Sequence, residues 1–280
     1  MSGTGPRPRG LLAVFAHPDD ETFGAGGVLA LTAAAGEPAW LICATNGDEG
    51  GVADEQGDHA MDPEIRRDEL RCACDALGIA APIFLGYRDS GMEGWTPKPG
   101  AFVLADPAEI VDRIVGEIAR LRPAVVVTFD PGGAYGHPDH VRVSDVTTEA
   151  FGRLRGQPGA PVALYHQAIP RSWAERMVAE WEQNDAKPDA TPPTEDDLIQ
   201  RRRFIELARP DAEMTTTIDV RPVLDRKRRA FECHASQINP EDWEMDDVER
   251  MEESLGREVF VRVEPPPAPG EQETFFLGLG

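Results

Sequence analysis

The sequence predicts an α/β protein: a Rossmann-like, doubly wound, mainly parallel sheet with helices on both faces. Three observations predict it. Short, wholly apolar runs such as Leu11-Leu12-Ala13-Val14-Phe15-Ala16 and Ala124-Val125-Val126-Val127-Thr128-Phe129 read as strands buried on both faces, the pattern of parallel rather than antiparallel sheets. Such runs alternate with longer stretches of helical period. The helical stretches also begin and end on recognisable cap residues.

In chain order, the first strand, 11–16, is followed by a Gly- and Ala-rich helix over 22–35 and a second buried strand, 39–45, that stops at Asn46-Gly47. This is a βαβ unit, and its crossover is right-handed. A helix over 63–77 ends at Gly78, and a strand over 82–87 comes next. The helix over 107–121 opens with Asp106 as N-cap, Pro107 at its first position and Glu109 two residues on, and Arg122-Pro123 closes it before the strand at 124–129. Beyond Phe151 the pattern weakens. A strand over 162–165, a helix over 173–184, an exposed loop over 187–193, a strand over 215–220, a helix over 221–236 with Pro222 in its first turn and an extended Pro265-Pro266-Pro267 are expected there. The organisation expected is one domain spanning 1–280, with a core at 11–150 and a C-terminal elaboration at 151–280.

With 280 residues and a formal net charge of -22, the chain can bury a large core and repels phosphate backbones and anionic lipid. Nucleic acid is therefore excluded as an expected partner. The acidic stretches 195–197 and 241–247 read as solvated faces. Cys43, Cys72, Cys74 and Cys233 form no C-x-x-C pair and are expected to be reduced thiols of a cytoplasmic protein. Residues 1–9 lack the apolar segment of a signal peptide, and no apolar run approaches the ~20 residues that span a bilayer, so no membrane association is expected. Assembly into a homo-oligomer is left open.

The chemistry concentrates in two tetrads, His17-Pro18-Asp19-Asp20 and His137-Pro138-Asp139-His140, each just past a buried strand. Open parallel sheets bind ligands beyond the carboxyl ends of their strands, so sites more than a hundred residues apart can meet there. Three ligands from His, Asp, Glu or Cys with one open position make a catalytic zinc site, and His17, Asp20 and His140 supply such a set. The same set suits ferrous iron. Asp19 would then project beside the water as general base, and His137 would stabilise an oxyanion or donate a proton, with Asp139 orienting or supporting it. Taken alone, each tetrad also fits an Asp-rich turn with a satisfied histidine. Two tetrads in matching positions, holding half of the 6 histidines, favour the site.

These residues resemble the LmbE-like, or PIG-L, family of zinc-dependent N-acetylglucosamine deacetylases. The family motifs A-H-P-D-D-E and H-P-D-H stand here as Ala16 to Glu21 and His137 to His140, within a resemblance over roughly 11–150 and with an echo at His234-Ala235-Ser236-Gln237. The resemblance implies His17, Asp20 and His140 as ligands of Zn2+ (or Fe2+), Asp19 as general base and His137 as the electrostatic or acid partner. It further implies that Arg66 and Asp89 hold sugar hydroxyls, that Tyr135 assists the intermediate and that Met92 walls the acetyl pocket. The implied substrate is a small amino sugar bearing an N-acetyl group. Three rival readings are an amidase cutting a larger acyl group from a glucosamine conjugate, a non-catalytic metal-dependent sugar-binding protein, and a dinucleotide-binding protein suggested by Gly24-Ala25-Gly26-Gly27. The last lacks the G-x-G-x-x-G spacing, and its small residues better suit close helix-sheet packing.

Overall fold

The computed structural model describes residues 7–51, 60–187, 192–238 and 248–279. The expectations for 241–247, and for parts of the segments 1–9 and 187–193, lie outside the described residues. The strands β1 (Leu11–Phe15), β2 (Ala39–Thr45), β3 (Ile83–Tyr87), β4 (Val125–Phe129), β5 (Ala163–Gln167), β6 (Thr216–Asp219) and β7 (Arg257–Glu264) form one sheet in the order β3-β2-β1-β4-β5-β7-β6. Pairing is parallel from β3 to β5, while β7 runs antiparallel to both β5 and β6. Every residue of β1 and β4 is buried, as expected for strands covered on both faces. Strand order reverses at β1, which pairs with β2 on one side and β4 on the other. The crevice opened by that reversal lies beyond the carboxyl ends of β1 and β4, where the two tetrads begin.

Ten helices are described: α1 (Asp20–Gly24), α2 (Gly26–Ala34), α3 (Pro63–Leu77), α4 (Pro107–Leu121), α5 (Gly133–Gly136), α6 (Pro138–Leu154), α7 (Arg171–Asp185), α8 (Glu195–Leu207), α9 (Leu224–Cys233) and α10 (Val248–Leu255). The caps work as their residue types require. The Asp62 and Asp106 side chains accept from Glu64 N and Ala108 N, and Gly78 ends α3 in the left-handed region at φ 80°. Among the described residues no helix is long and apolar enough to cross a membrane.

The helix expected over 22–35 is two helices, broken at Ala25 (φ -154°, ψ 9°). The break has a packing cause. A Cβ on Gly27 would stand 2.4 Å from Val220 Cβ, so α2 lies directly on the segment after β6. Its N-terminal Gly27 and Val28 N–H groups donate to the Glu258 carboxylate of β7 at 2.7 and 2.9 Å, and Lys227 Nζ, also buried, lies 2.7 Å from Glu258 Oε1. A protein carboxylate thus occupies the anion position at this helix N-terminus, where a dinucleotide would need its pyrophosphate. The dinucleotide reading is discarded on that ground.

The cysteines require a second correction. Cys72 on α3 and Cys233 at the end of α9 form a disulfide, with Cα atoms 5.7 Å apart and 161 residues between them in sequence, while Cys43 and Cys74 are free and buried. The two helices pack side by side, which no local Cys spacing reveals. Closing so long a loop stabilises by about 2–5 kcal/mol. Cys72→Ser is therefore expected to lower Tm by roughly 5–10 °C. Thiol titration of the unreduced, denatured wild type should count the two free cysteines alone; four titratable thiols would refute the bond.

Candidate active site

Both tetrads occupy turns at the ends of buried strands. After β1 the chain bends so tightly that Asp19 adopts φ 127°, a left-handed value that costs a non-glycine residue about 1–3 kcal/mol. After β4, Gly133 (φ 61°) and Ala134 (φ 61°) form a compact turn capped by buried Asp130, whose Oδ1 accepts from Ala134 N at 3.1 Å. His137 then serves as N-cap of α6, and Pro138 takes its first position. His140 follows in the first turn of that helix.

These turns bring three donor groups together. His17 Nδ1 lies 3.1 Å from His140 Nε2 and 3.4 Å from Asp20 Oδ2, and His140 Nε2 lies 3.2 Å from Asp20 Oδ1. Donors about 2.0–2.1 Å from a tetrahedral zinc ion stand about 3.3 Å apart, and each pair of residues meets that spacing, the two contacts to Asp20 falling on different oxygens of its carboxylate. The tautomers fit as well. His140 Nδ1 donates to Gly133 O at 3.2 Å, which turns the Nε2 lone pair inward, and His17 Nε2 faces the carboxylates of Asp139 (3.3 Å) and Asp89 (3.5 Å), which leaves Nδ1 for the cation. Two lone pairs facing each other across 3.1 Å repel unless a proton or a metal ion lies between them. Two groups offer one donor atom per residue with all atoms within 4.8 Å of one another, His17, His137 and His140, and His17, Asp89 and Asp139; Asp20 joins the site through its separate contacts to His17 and His140. His17 is common to every grouping.

The electrostatics point the same way. Burial opposes charge on His17, yet Asp89, Asp139 and Asp20 together hold its pKa well above the ordinary histidine value. Burial likewise opposes ionisation of Asp20 and Asp89, but the neighbouring histidines hold both carboxyls below the usual carboxylate range. Such a surplus of carboxylates is what a divalent cation neutralises. Asp139 adds to it: Oδ2 accepts from Ser90 N at 2.9 Å, while Oδ1 is buried without a hydrogen-bond partner.

Asp19 behaves differently. Burial raises its pKa, Arg66 opposes the rise and Asp20 adds to it, leaving it at about 6. Arg66, buried on α3, donates through Nη2 to Asp19 Oδ2 at 2.9 Å and to Pro18 O at 2.5 Å, and through Nη1 to Gly47 O at 2.9 Å. The residue expected at a sugar hydroxyl thus has both Nη2 hydrogens on the Asp19 turn. His137 is pushed down to about 2, by burial first and then by His17 and His140. Its Nδ1 accepts from Asp139 N at 3.2 Å, so the neutral ring carries its proton on Nε2, 3.9 Å from Asp89 Oδ1. Asp89 itself sits inside the buried cluster rather than at its rim. Tyr135 is exposed, with its ring edge-on to His140, and Met92 is half-buried on the loop after β3. Phe129, ending β4, stacks on His140 with ring centroids 4.0 Å apart.

Two contributors were absent from the sequence expectations. Glu21 and His234 are both fully buried and meet at 2.7 Å beneath the Asp19 turn. The motif residue Glu21 and the echo around His234 were the available signals.

Residues 12–151 match the family model PIG-L, described as GlcNAc-PI de-N-acetylase. A Rhodococcus erythropolis protein, 1D-myo-inositol 2-acetamido-2-deoxy-alpha-D-glucopyranoside deacetylase, is 38% identical over 251 residues, covering 81% of each chain. Among solved structures, the N,N'-diacetylchitobiose deacetylase of Pyrococcus horikoshii shares the fold at TM-score 0.56 and 19% identity, over 91% of this chain and 83% of that one. So does GalB, the 4-carboxy-2-hydroxymuconate hydratase of Pseudomonas putida KT2440, at TM-score 0.58 and 21% identity, over 93% and 98%. A hydratase on the same frame means that the fold alone does not name the reaction. With the family model matching half of the chain and a relative this similar over most of its length, the chain belongs to the PIG-L family.

Proposed function

We propose that this protein is a zinc-dependent hydrolase that removes the N-acetyl group from a GlcNAc-containing small molecule, with an inositol-linked GlcNAc as the first substrate to test. The observation that carries the reading is the convergence of His17, Asp20 and His140 at ligand spacing, with the Asp19 carboxylate held on the same turn by Arg66. The substrate follows from the name of the Rhodococcus relative. Zinc is preferred to ferrous iron on the tetrahedral spacing, and the His-Asp-His set accepts either. The reading treats the chain as one domain, because β5, β7 and β6 extend the same sheet that carries the site. It also keeps a cytoplasmic location, where the Cys72–Cys233 bond would face reducing conditions.

A divalent cation held by His17, Asp20 and His140 would polarise the amide carbonyl and lower the pKa of water to about 7. The remaining steps belong to side chains. Asp19, with a pKa near 6, is ionised at neutral pH and takes the proton of the attacking water. His137, neutral and protonated on Nε2, donates a hydrogen bond to the oxyanion, joined by the Tyr135 hydroxyl. A ring with so low a pKa is a poor proton source, so Asp19, now protonated, returns its proton to the departing amine. Asp89 and Asp139 hold His17, and Arg66 holds Asp19, in the roles that their contacts support. Met92 is assigned to the acetyl pocket, and Asp89, whose Oδ1 faces His17 and accepts from Gly91 N, is assigned to a sugar hydroxyl through Oδ2.

The base must be deprotonated, so kcat/KM is expected to rise with pH through a limb at or below about pH 6, since a bound cation lowers the Asp19 pKa further. Arg66→Leu removes a charge that favours the carboxylate, and its limb should move to higher pH. A pH profile of kcat/KM for both enzymes checks this, and a limb that stays or moves down in the variant contradicts the assignment. A panel of N-acetylated and longer-chain N-acylated glucosamines, followed by free-amine release, separates the deacetylase from an amidase for larger acyl groups.

A further inference from the structure

We propose that Glu21 and His234 are positioning residues of this reaction: a buried carboxylate–imidazole pair that holds the main chain of Asp19 in the conformation that aims its side chain. The inference rests on the reading of Asp19 as general base. It begins from the backbone, because φ 127° at a non-glycine residue persists only where its surroundings over-determine it. Three contacts do so. Arg66 grips the carboxylate, Thr22 N donates to Asp19 O at 2.9 Å, and Asp19 N donates to Glu21 Oε2 at 3.1 Å.

Glu21 is fully buried, and each of its oxygens has a task. While Oε2 accepts from the strained residue, Oε1 accepts from Thr22 Oγ1 at 2.5 Å and lies 2.7 Å from His234 Nε2. A buried carboxylate with one N–H and one hydroxyl donor, both neutral, would be poorly compensated, and the imidazole supplies a further donor. His234, also fully buried, has no hydrogen-bond partner on Nδ1, so its described polar contact is with Glu21. The histidine comes from the far end of the sequence, 213 residues away. Its position is fixed by the Cys233–Cys72 bond next to it and by Ser236, which donates from N (2.8 Å) and Oγ (2.7 Å) to Glu69 of α3. The same helix α3 carries Arg66. Asp19 is therefore gripped at its carboxylate by Arg66 of α3 and at its N–H by Glu21, which His234 at the end of α9 braces, and α3 and α9 are cross-linked to each other.

The test uses the metal-loaded, full-length enzyme with inositol-linked GlcNAc as probe, and compares His234→Ala, His234→Gln, Glu21→Gln and Asp19→Asn for kcat, KM, bound metal and Tm. A displacement of about 1 Å in a catalytic group lowers turnover on the order of 10²-fold. His234→Ala is expected to lose about 10- to 100-fold in kcat, with KM and metal content unchanged. His234→Gln, whose side-chain amide N–H can reach Glu21, should recover most of the loss, and Glu21→Gln should fall between the two. Two results overturn the inference: His234→Ala within twofold of wild-type kcat, or a loss equal in His234→Ala and His234→Gln that tracks lost metal or lost fold. Failure of the underlying reading is separate, because it shows as near wild-type turnover in Asp19→Asn.

Discussion

Asp19→Asn is expected to lower kcat by about 10²–10⁴ while leaving bound metal and KM close to wild type. The substitution keeps the shape of the side chain and removes its basicity. Its neutral amide removes the burial penalty on the carboxylate and the like-charge contact with Asp20 but gives up the ion pair with Arg66, so Tm should stay close to wild type. The size of the effect follows from a general base that acts on the attacking water and again on the departing amine. Single-turnover and steady-state rates, with metal quantified on the same preparation, check it. Equal falls in metal content and rate would instead make Asp19 a ligand.

Asp20→Ala or His140→Ala should remove metal binding itself, and activity with it. Each deletes one of three donor residues whose nearest separations are 3.1, 3.2 and 3.4 Å. Asp20 also accepts from Ala16 N and His17 N at 3.1 and 2.7 Å, so its loss frees the turn that orients His17. Affinity measured by competition with a chromophoric chelator should fall by more than the roughly 10–100-fold typical of a supporting residue, and Asp139→Ala should lie within that smaller range. A ranking with Asp139 above Asp20 would move the metal toward the His17, Asp89 and Asp139 cluster.

The first half of the fold was legible because its strands are buried on both faces. Apolar runs at 11–16, 39–45 and 124–129 correspond to β1, β2 and β4 within a residue, and the helices at 63–77 and 107–121 have the observed bounds. The second half was less legible for physical reasons. β6 and β7 lie at the antiparallel edge of the sheet, where one face alternates with polar residues, and β7 (Arg257–Glu264) carries charges among its apolar positions. α8 begins inside an acidic stretch that reads as a solvated face, and those of its residues whose burial is described are exposed or half-buried. The break at Ala25 and the Cys72–Cys233 bond both depend on partners more than 150 residues away.

The site shows the same division. His17, Asp20, His137 and His140 come together as their spacing after two buried strands suggested, because strand ends at a reversal of strand order must face one crevice. What lay beyond the motifs was the support around them. Arg66 reads as an ordinary helix residue until α3 is seen to aim it at Pro18 and Asp19, and Glu21 reads as one more acid until His234 arrives from the end of α9. Neither the left-handed φ of Asp19 nor the neutral state of His137 has a signature in residue order, since both arise from packing.

The most direct test of the central claim is acetate release from inositol-linked GlcNAc by protein stripped with chelator and then titrated with Zn2+. The account predicts no release from the stripped protein and recovery that saturates at one metal ion per chain, with free amine and acetate formed in equal amounts. Stoichiometric metal uptake without acetate release from this or any other N-acetylglucosamine derivative would contradict it.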